Sequence, residues 1–404
     1  MRPREEKERP RDETVSPPPA GRPGSGLARD EAPGGPVRQN GHRRRKRGGG
    51  GGERSMVPPA EFRSYYGRPI VKAAVWHHDI AAYLFTGGLA AGSALLAAGG
   101  DATGRPALRR AGRVTALGAL VASTYFLVHD LGRPARFHHM LRVAKPTSPM
   151  SVGTWILSGF GAAAGVSAVA EGAGLLPDRG LPGVARKLLP PLGTAGQYGA
   201  ATLAPALATY TAVLLADTAT PSWHAAYPEL PFVFAGSALA SGAGVGLLAA
   251  PCEQAGPARR MAVVGAAMEL YGAHRVETTK GILSEPYAEG RAGRLLRTGR
   301  ALTALGVVGA VLGRRSRVVS ALSGLSLLTA SLATRFGIFD GGIASARDPK
   351  YTVLPQRERL AGRAASDESA TEKTFCPYST ELLYDSTAAH HPEAVARSRP
   401  PAHT

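Results

Sequence analysis

Long stretches that are apolar or small on every side alternate with short arginine-bearing ones through the middle of this chain. A helix on the surface of a water-soluble protein keeps one polar face. Segments without such a face suit lipid or a protein-lined membrane interior. Ile80 to Gly100 is uncharged and long enough to cross a hydrocarbon core of about 30 Å at 1.5 Å per residue. Val114 to Leu131 follows, ending in His129 and Asp130, and Val152 to Ala170, Leu192 to Ala216 and Phe232 to Ala250 are three more. Met261 to His274 is shorter and carries Glu269. Ala301 to Gly313 and Val318 to Thr334 form a final hairpin with Arg314, Arg315 and Arg317 in its turn, where arginines can snorkel and lengthen a short span. The pattern predicts an all-α fold: a polytopic membrane helix bundle of about eight transmembrane helices.

The two ends differ from the middle. Residues 1–56 are rich in Pro, Gly, Arg and Glu and nearly devoid of aliphatic side chains, so they cannot offset the entropy of ordering. A disordered basic extension is expected there, and a translation start at Met56 would account for it. The apolar domain is expected over residues 57–345, followed by a disordered polar tail over 346–404.

A net charge of +18 invites a nucleic-acid reading. The cluster from Arg43 to Arg47, however, sits among glycines and prolines with no recognition fold beside it, and most other arginines flank apolar segments as they do in membrane proteins. No nucleic-acid partner is expected; the surrounding partner is membrane lipid. Two cysteines, Cys252 and Cys376, are too few to ligate an iron–sulfur cluster or a structural zinc. No apolar run follows the basic cluster as a secretory signal requires. The loop arginines divide nearly evenly between the two sides, which leaves orientation open. Gly88 and Gly92, Gly161 and Gly165, and Gly242 and Gly246 stand at the spacing that lets helix backbones approach closely in lipid.

The run Ser64-Tyr65-Tyr66-Gly67-Arg68-Pro69, with Trp76 and Tyr83-Leu84-Phe85-Thr86-Gly87-Gly88-Leu89-Ala90-Ala91-Gly92, resembles the first helix of the NrfD/PsrC polysulfide-reductase membrane subunits. His129-Asp130-Leu131-Gly132-Arg133-Pro134, with Phe137, Leu141 and Lys145 to Ser151, is similar to that family's connection between second and third helices. Thr334-Arg335-Phe336-Gly337 and Asp348-Pro349-Lys350-Tyr351 resemble the ending of actinobacterial members. The likeness covers roughly residues 57–360. It departs at Asp79 and Ala81, where many relatives carry Glu and Pro.

The resemblance implies a multi-pass subunit of the bacterial cell membrane that is not catalytic alone. It would exchange electrons with a transiently bound quinone such as menaquinone, and its partners would be a ferredoxin-like 4Fe-4S subunit and a molybdopterin oxidoreductase subunit. It implies no haem, and the residues agree. Of eleven histidines only His129 and His274 lie in apolar segments, whereas two bis-His haems need four. A membrane transporter and a purely structural anchor are the competing functions.

A quinone site needs a mostly apolar pocket, partners for two carbonyl oxygens and a proton route. Asp79 and Tyr83 share one face at the start of the first helix. They suit quinone contact, or equally an interfacial tyrosine and an acid favoured by the helix dipole. His129, Asp130 and Arg133 form the sharpest constellation. Arg133 can pair with Asp130 if the helix continues to Gly132, and the group would stand at a quinone pocket, at an iron–sulfur docking face, or as a helix-end salt bridge. Tyr125, one turn before His129, extends the same face. Tyr210 and Asp217 on the fourth helix, and Glu269 and His274 on the sixth, are candidates for a proton pathway, since ionisable groups inside a membrane are functional candidates by default. Glu269 could instead pair with a loop arginine. Trp76, Trp155 and Trp223 read as interface anchors.

Overall fold

The computed structural model describes residues 69–174 and 183–374. The expected basic extension over 1–56, the motif from Ser64 to Arg68 and the tail beyond 374 lie outside the described residues. The described chain forms α1 (His78–Ala102), α2 (Pro106–His129), α3 (Pro149–Ala173), α4 (Gly183–Ala216), α5 (Pro221–Ala225), α6 (Leu230–Ala249), α7 (Gly256–Thr279), α8 (Glu285–Ala288), α9 (Gly290–Leu312), α10 (Arg317–Arg347) and α11 (Lys350–Thr374). Short 3₁₀ segments occupy Pro134–Leu141 and Gly281–Ser284.

Seven of these, α1, α2, α3, α4, α6, α9 and α10, are long and apolar enough to cross a membrane. Their outward side chains, among them Val121, Val169, Val213, Leu305 and Leu322, are apolar and exposed, as a lipid-facing surface requires. Helix α7, also long, carries Arg259, Arg260, Glu269, Arg275 and Glu277. It returns antiparallel along α6: a Cβ on Gly246 would meet Ala258, one on Gly265 would meet Ala240, and one on Gly272 would meet Val233. The stretch expected from Met261 to His274 is thus the middle of a full-length helix.

Helix starts follow local chemistry. Proline, which has no N–H to leave unsatisfied, opens α2, α3 and α5, and the Ser148 and Ser316 hydroxyls cap α3 and α10 by accepting from Ser151 N and Val319 N. Gly104, at φ 65°, supplies the left-handed residue that turns α1 into α2.

The spans form two four-helix bundles. Helices α1 to α4 make the first, α6, α7, α9 and α10 the second, and each is two antiparallel hairpins side by side. The bundles meet where α1 lies parallel to α6, with Gly92 against the backbone of Ala238 and Gly242. Of the three glycine pairs picked out in the sequence, those on α1 and α6 serve this joint. Gly161 faces Leu120, and Gly165 faces open space. Both bundles start from the same side, called here the entry face, which also carries the 131–148 connection, α5, α8 and α11. Among the described residues the far face holds short turns, at 103–105, 250–255 and 313–316.

Helix α10 runs to Arg347, well past the expected end at Thr334, so Arg335 lies inside it. The polar tail opens with α11, whose first turn is held by Lys350 Nζ on Glu285 Oε2 at 2.8 Å. That hydrogen bond holds the Glu285 carboxyl below its ordinary range.

Candidate functional site

Two histidine–carboxylate pairs close the entry end of the α1–α2 hairpin. Asp79, in the first turn of α1, holds His129 Nδ1 at 2.9 Å through Oδ2. Asp130 Oδ1 accepts from the His77 backbone N–H at 3.2 Å and lies 3.1 Å from the His77 ring Nδ1. The expected pairing of Asp130 with Arg133 is not what forms. Helix α2 stops at His129, Asp130 is its cap, and Arg133 lies in non-helical backbone at φ −135° and is exposed. Without a continuing helix the two side chains do not share a face. A third pair, His78 Nε2 to Asp340 Oδ1 at 3.2 Å, ties the start of α1 to α10, where Arg291 also meets Asp340. His77, His78, Arg291 and Asp340 were not singled out in the sequence. The contiguous His77-His78-Asp79 at a span's edge is the signal that could have flagged the first two.

Along the lipid side of α2 runs an apolar recess of about 470 Å³, lined by Leu120, Val121, Thr124, Tyr125, Val128 and His129 and closed by Pro134. Tyr125 is 61% exposed and stacks on the His129 ring at 5.6 Å between centroids. With Nδ1 engaged by Asp79, the nitrogen that His129 can offer a ligand is Nε2. Behind α2 lies a smaller cavity of about 40 Å³ among α1, α3 and α4, lined by Tyr83, Tyr210, Met140, Met150 and Thr154. The Tyr210 hydroxyl is buried there without a partner. Tyr83 and Tyr210, expected in separate groups, thus line one cavity.

The other proton-pathway candidates part company. Asp217 is exposed beyond the end of α4. Glu269 is 3% exposed, but His274 is exposed: five residues on a helix turn the side chain about 140° away. Glu269 pairs with no loop arginine. Its Oε1 accepts from Thr334 Oγ1 at 2.6 Å, and Oε2 has no hydrogen-bond partner. Nearby, Arg335 is fully buried, its guanidinium 3.8 Å above the Phe234 ring and donating to Phe234 O at 2.7 Å. Sequence reasoning quoted Arg335 in the family-like ending and gave it no role, because it follows the expected end of the last span at Thr334. Apolar residues on both sides of it, from Leu332 to Phe339, were the available signal.

At the far face, Arg113 and Glu171 are buried and paired at 3.0 Å, with Arg109 and Arg110 on the same carboxylate at 3.2 and 3.3 Å. Gln197 accepts from Arg113 and donates to Ala97 O. This network closes the first bundle. Trp223, expected at the membrane interface, is buried between α5 and α10, donating to Ile338 O at 2.8 Å and stacked 6.0 Å from Trp76, while Trp155 is exposed as an anchor would be. Among the described residues no group of three or more His, Cys, Asp or Glu could hold a metal ion.

Residues 70–256 match the family model described as polysulphide reductase, NrfD. No curated protein matches the chain. The matched segment runs from the approach to α1 through α6 and contains both histidine–carboxylate pairs; Glu269 and Arg335 lie beyond it.

Proposed function

We propose that this chain, placed in the polysulphide reductase NrfD family by residues 70–256, is the quinone-reactive membrane subunit of a respiratory oxidoreductase complex of the bacterial cell membrane. Its partners on this reading are a ferredoxin-like 4Fe-4S subunit and a molybdopterin oxidoreductase subunit. The observation that carries the reading is the His129–Asp79 pair at the head of the apolar recess. A recess of that size, open toward lipid and polar at one end, suits a quinone ring that arrives from the bilayer with an isoprenoid tail.

The chemistry of the pair follows from its geometry. Asp79 fixes the His129 ring and leaves Nε2 free, so His129 takes a proton from a quinol hydroxyl or returns one to a quinone oxygen. Asp79 stabilises the imidazolium formed in the first case. Tyr125 supplies a flat surface beside the ring. His77 holds Asp130 and thereby the end of α2. The 131–148 connection next to this site bears Arg133, Arg136, Arg142 and Lys145, all exposed and without an acid among them, and presents a basic surface where an electron-carrying partner would approach.

A transporter gains no support from the arrangement. Transporter sites commonly lie near the bilayer midplane at the interface between repeats, whereas the recess and the His129–Asp79 pair sit along α2 and at the entry end of the α1–α2 hairpin. A purely structural anchor is separated by experiment. In the assembled complex, Asp79→Asn and His129→Gln are expected to lower quinol turnover roughly a hundredfold, the range in which a positioned proton acceptor acts, with unchanged subunit in the membrane. Wild-type turnover in both variants would leave the anchor reading standing and remove this one.

A further inference from the structure

Five arginines gather at the far end of the second bundle. Arg259 and Arg260 lie near the start of α7, Arg314 and Arg315 stand in the turn between α9 and α10, and Arg317 begins α10. Hydrogen bonds bring them to one corner. Arg259 donates from Nη1 to Cys252 O in the α6–α7 turn at 3.0 Å, and from Nη2 to Arg314 O at 3.2 Å. Arg317 donates from Nη1 to Leu247 O at 2.6 Å and from Nη2 to Leu248 O, near the end of α6. These two arginines stitch the α6–α7 turn to the α9–α10 turn.

Positive charge is left over there. A carbonyl oxygen accepts a hydrogen bond without neutralising the guanidinium, so Arg259 and Arg317 keep their full charge. Arg260, Arg314 and Arg315 are exposed, and among the described residues their side chains make no hydrogen bond or ion pair. On the entry side, by contrast, Lys280 meets Glu229 at 2.8 Å, Arg291 meets Asp340 at 3.3 Å, and Arg300 and Lys350 meet Glu277 and Glu285. At the far end of the first bundle Arg109, Arg110 and Arg113 share Glu171. The corner has no such carboxylate. Segments 247–260 and 308–322 hold these five arginines and one acid, Glu253, an excess of four positive charges.

Below the arginines the outer surface turns apolar. One turn on from Arg259 and Arg260, Val263 and Val264 are exposed on α7, and Leu312, Val308 and Leu305 step away from the corner along α9, exposed as well. The two helices stand side by side, joined at the far end by Arg259 on Arg314 O and toward the entry end by Arg300 on Glu277. A soluble anion has no use for the apolar wall, and a neutral hydrocarbon has none for the arginines. An anionic head carrying hydrocarbon chains fits both.

We propose that this corner binds an anionic glycerophospholipid of the surrounding bilayer, its phosphodiester held by Arg260, Arg314 and Arg315 and its acyl chains lying along α7 and α9. A guanidinium offers paired N–H donors that match two phosphate oxygens, so one phosphodiester bridges α7 and the α9–α10 turn. Arg259 and Arg317, fixed by carbonyls, add to the attracting field. A zwitterionic lipid fits less well, because its head brings a second cation into a corner already positive. From Leu312 to Leu305 the wall runs about 10 Å at 1.5 Å per residue, more than half of a leaflet about 15 Å thick. The arginines lie beyond the matched family segment, and the site does not rest on the quinone reading.

The test places the full chain in vesicles of phosphatidylethanolamine with a trace of phosphatidylglycerol that carries a photoactivatable diazirine near the top of one acyl chain. Label is expected on the peptides holding Val263 and Val264 and Leu305 to Leu312, and added unlabelled phosphatidylglycerol should reduce it roughly tenfold. Equal labelling by a phosphatidylethanolamine probe would mean ordinary boundary lipid and overturns the proposal. Suppression by inorganic phosphate would mean a site for soluble anions and overturns it too. The combined variant Arg260→Gln, Arg314→Gln, Arg315→Gln should lose the label at this corner while keeping it at the exposed Val166 of α3, which reports an intact fold. Undiminished label at the corner of that variant contradicts the assignment. Should the variant not fold, the wild-type comparison between the two probes decides alone.

Discussion

Replacing Gly112 by alanine should push α1 and α2 apart, and the cost can be worked from the geometry. A Cβ at Gly112 would lie 2.6 Å from Ser93 O, 2.7 Å from Ala97 N and 2.8 Å from Ala97 Cβ, where ordinary contacts begin at 3.4 Å. Two of the three neighbours are backbone, so relief requires the helices to separate by about 0.8 Å, the difference between 2.6 and 3.4 Å. A gap of that size forfeits roughly a quarter to a half of each contact's attraction along the crossing, and overpacking of this kind costs about 2 kcal/mol. Gly118 on the same helix is the control: it is exposed, with nothing within 4 Å of its added Cβ. Gly118→Ala should stabilise by roughly 0.5 kcal/mol, since alanine is the better helix former. Reversible unfolding in mixed micelles, followed by circular dichroism, reads both variants, and a separation of about 2.5 kcal/mol between them is the expected result. Equal midpoints, or Gly112→Ala the more stable, would refute the packing argument.

Glu171→Gln should destabilise the first bundle by about 3 kcal/mol in the same assay, because it leaves the buried Arg113 beside Arg109 and Arg110 with Asp101, 3.6 Å from Arg109, as the one remaining carboxylate among the described residues around them; a loss under 1 kcal/mol would mean that Asp101, Gln197 and solvent suffice. Tyr210→Phe should leave stability unchanged within about 0.5 kcal/mol, since the hydroxyl makes no hydrogen bond in the fold. A clear loss of stability would show that this hydroxyl does have a structural partner.

The membrane spans were legible because their sequence is apolar or small all the way round, and that property is local. Their ends were less so. Helix α2 starts eight residues before Val114, since Arg109, Arg110 and Arg113 are tolerated inside it by Glu171, which lies 58 residues after Arg113 in sequence. Helix α10 extends past Thr334 for the same kind of reason: Arg335 is held by the Phe234 carbonyl and ring, 101 residues earlier. Charge compensated across the fold cannot be read from a window along one helix. Asp79, Tyr125 and His129 were visible as polar groups at the edges of apolar runs, but their partnership depends on the antiparallel register of α1 and α2. Asp130 was assigned to Arg133, its neighbour in sequence, whereas the helix end turns it toward His77. Glu269 stood out as an acid within an apolar segment; its unpartnered oxygen is a tertiary fact.

Photolabelling by an azido-substituted quinone in native membranes tests the central claim most directly. The label is expected on the peptide spanning Leu120 to Pro134, with excess unmodified quinone suppressing it and Asp79→Asn weakening it. Labelling confined to other helices, or labelling here that excess quinone does not reduce, would contradict a quinone site at His129.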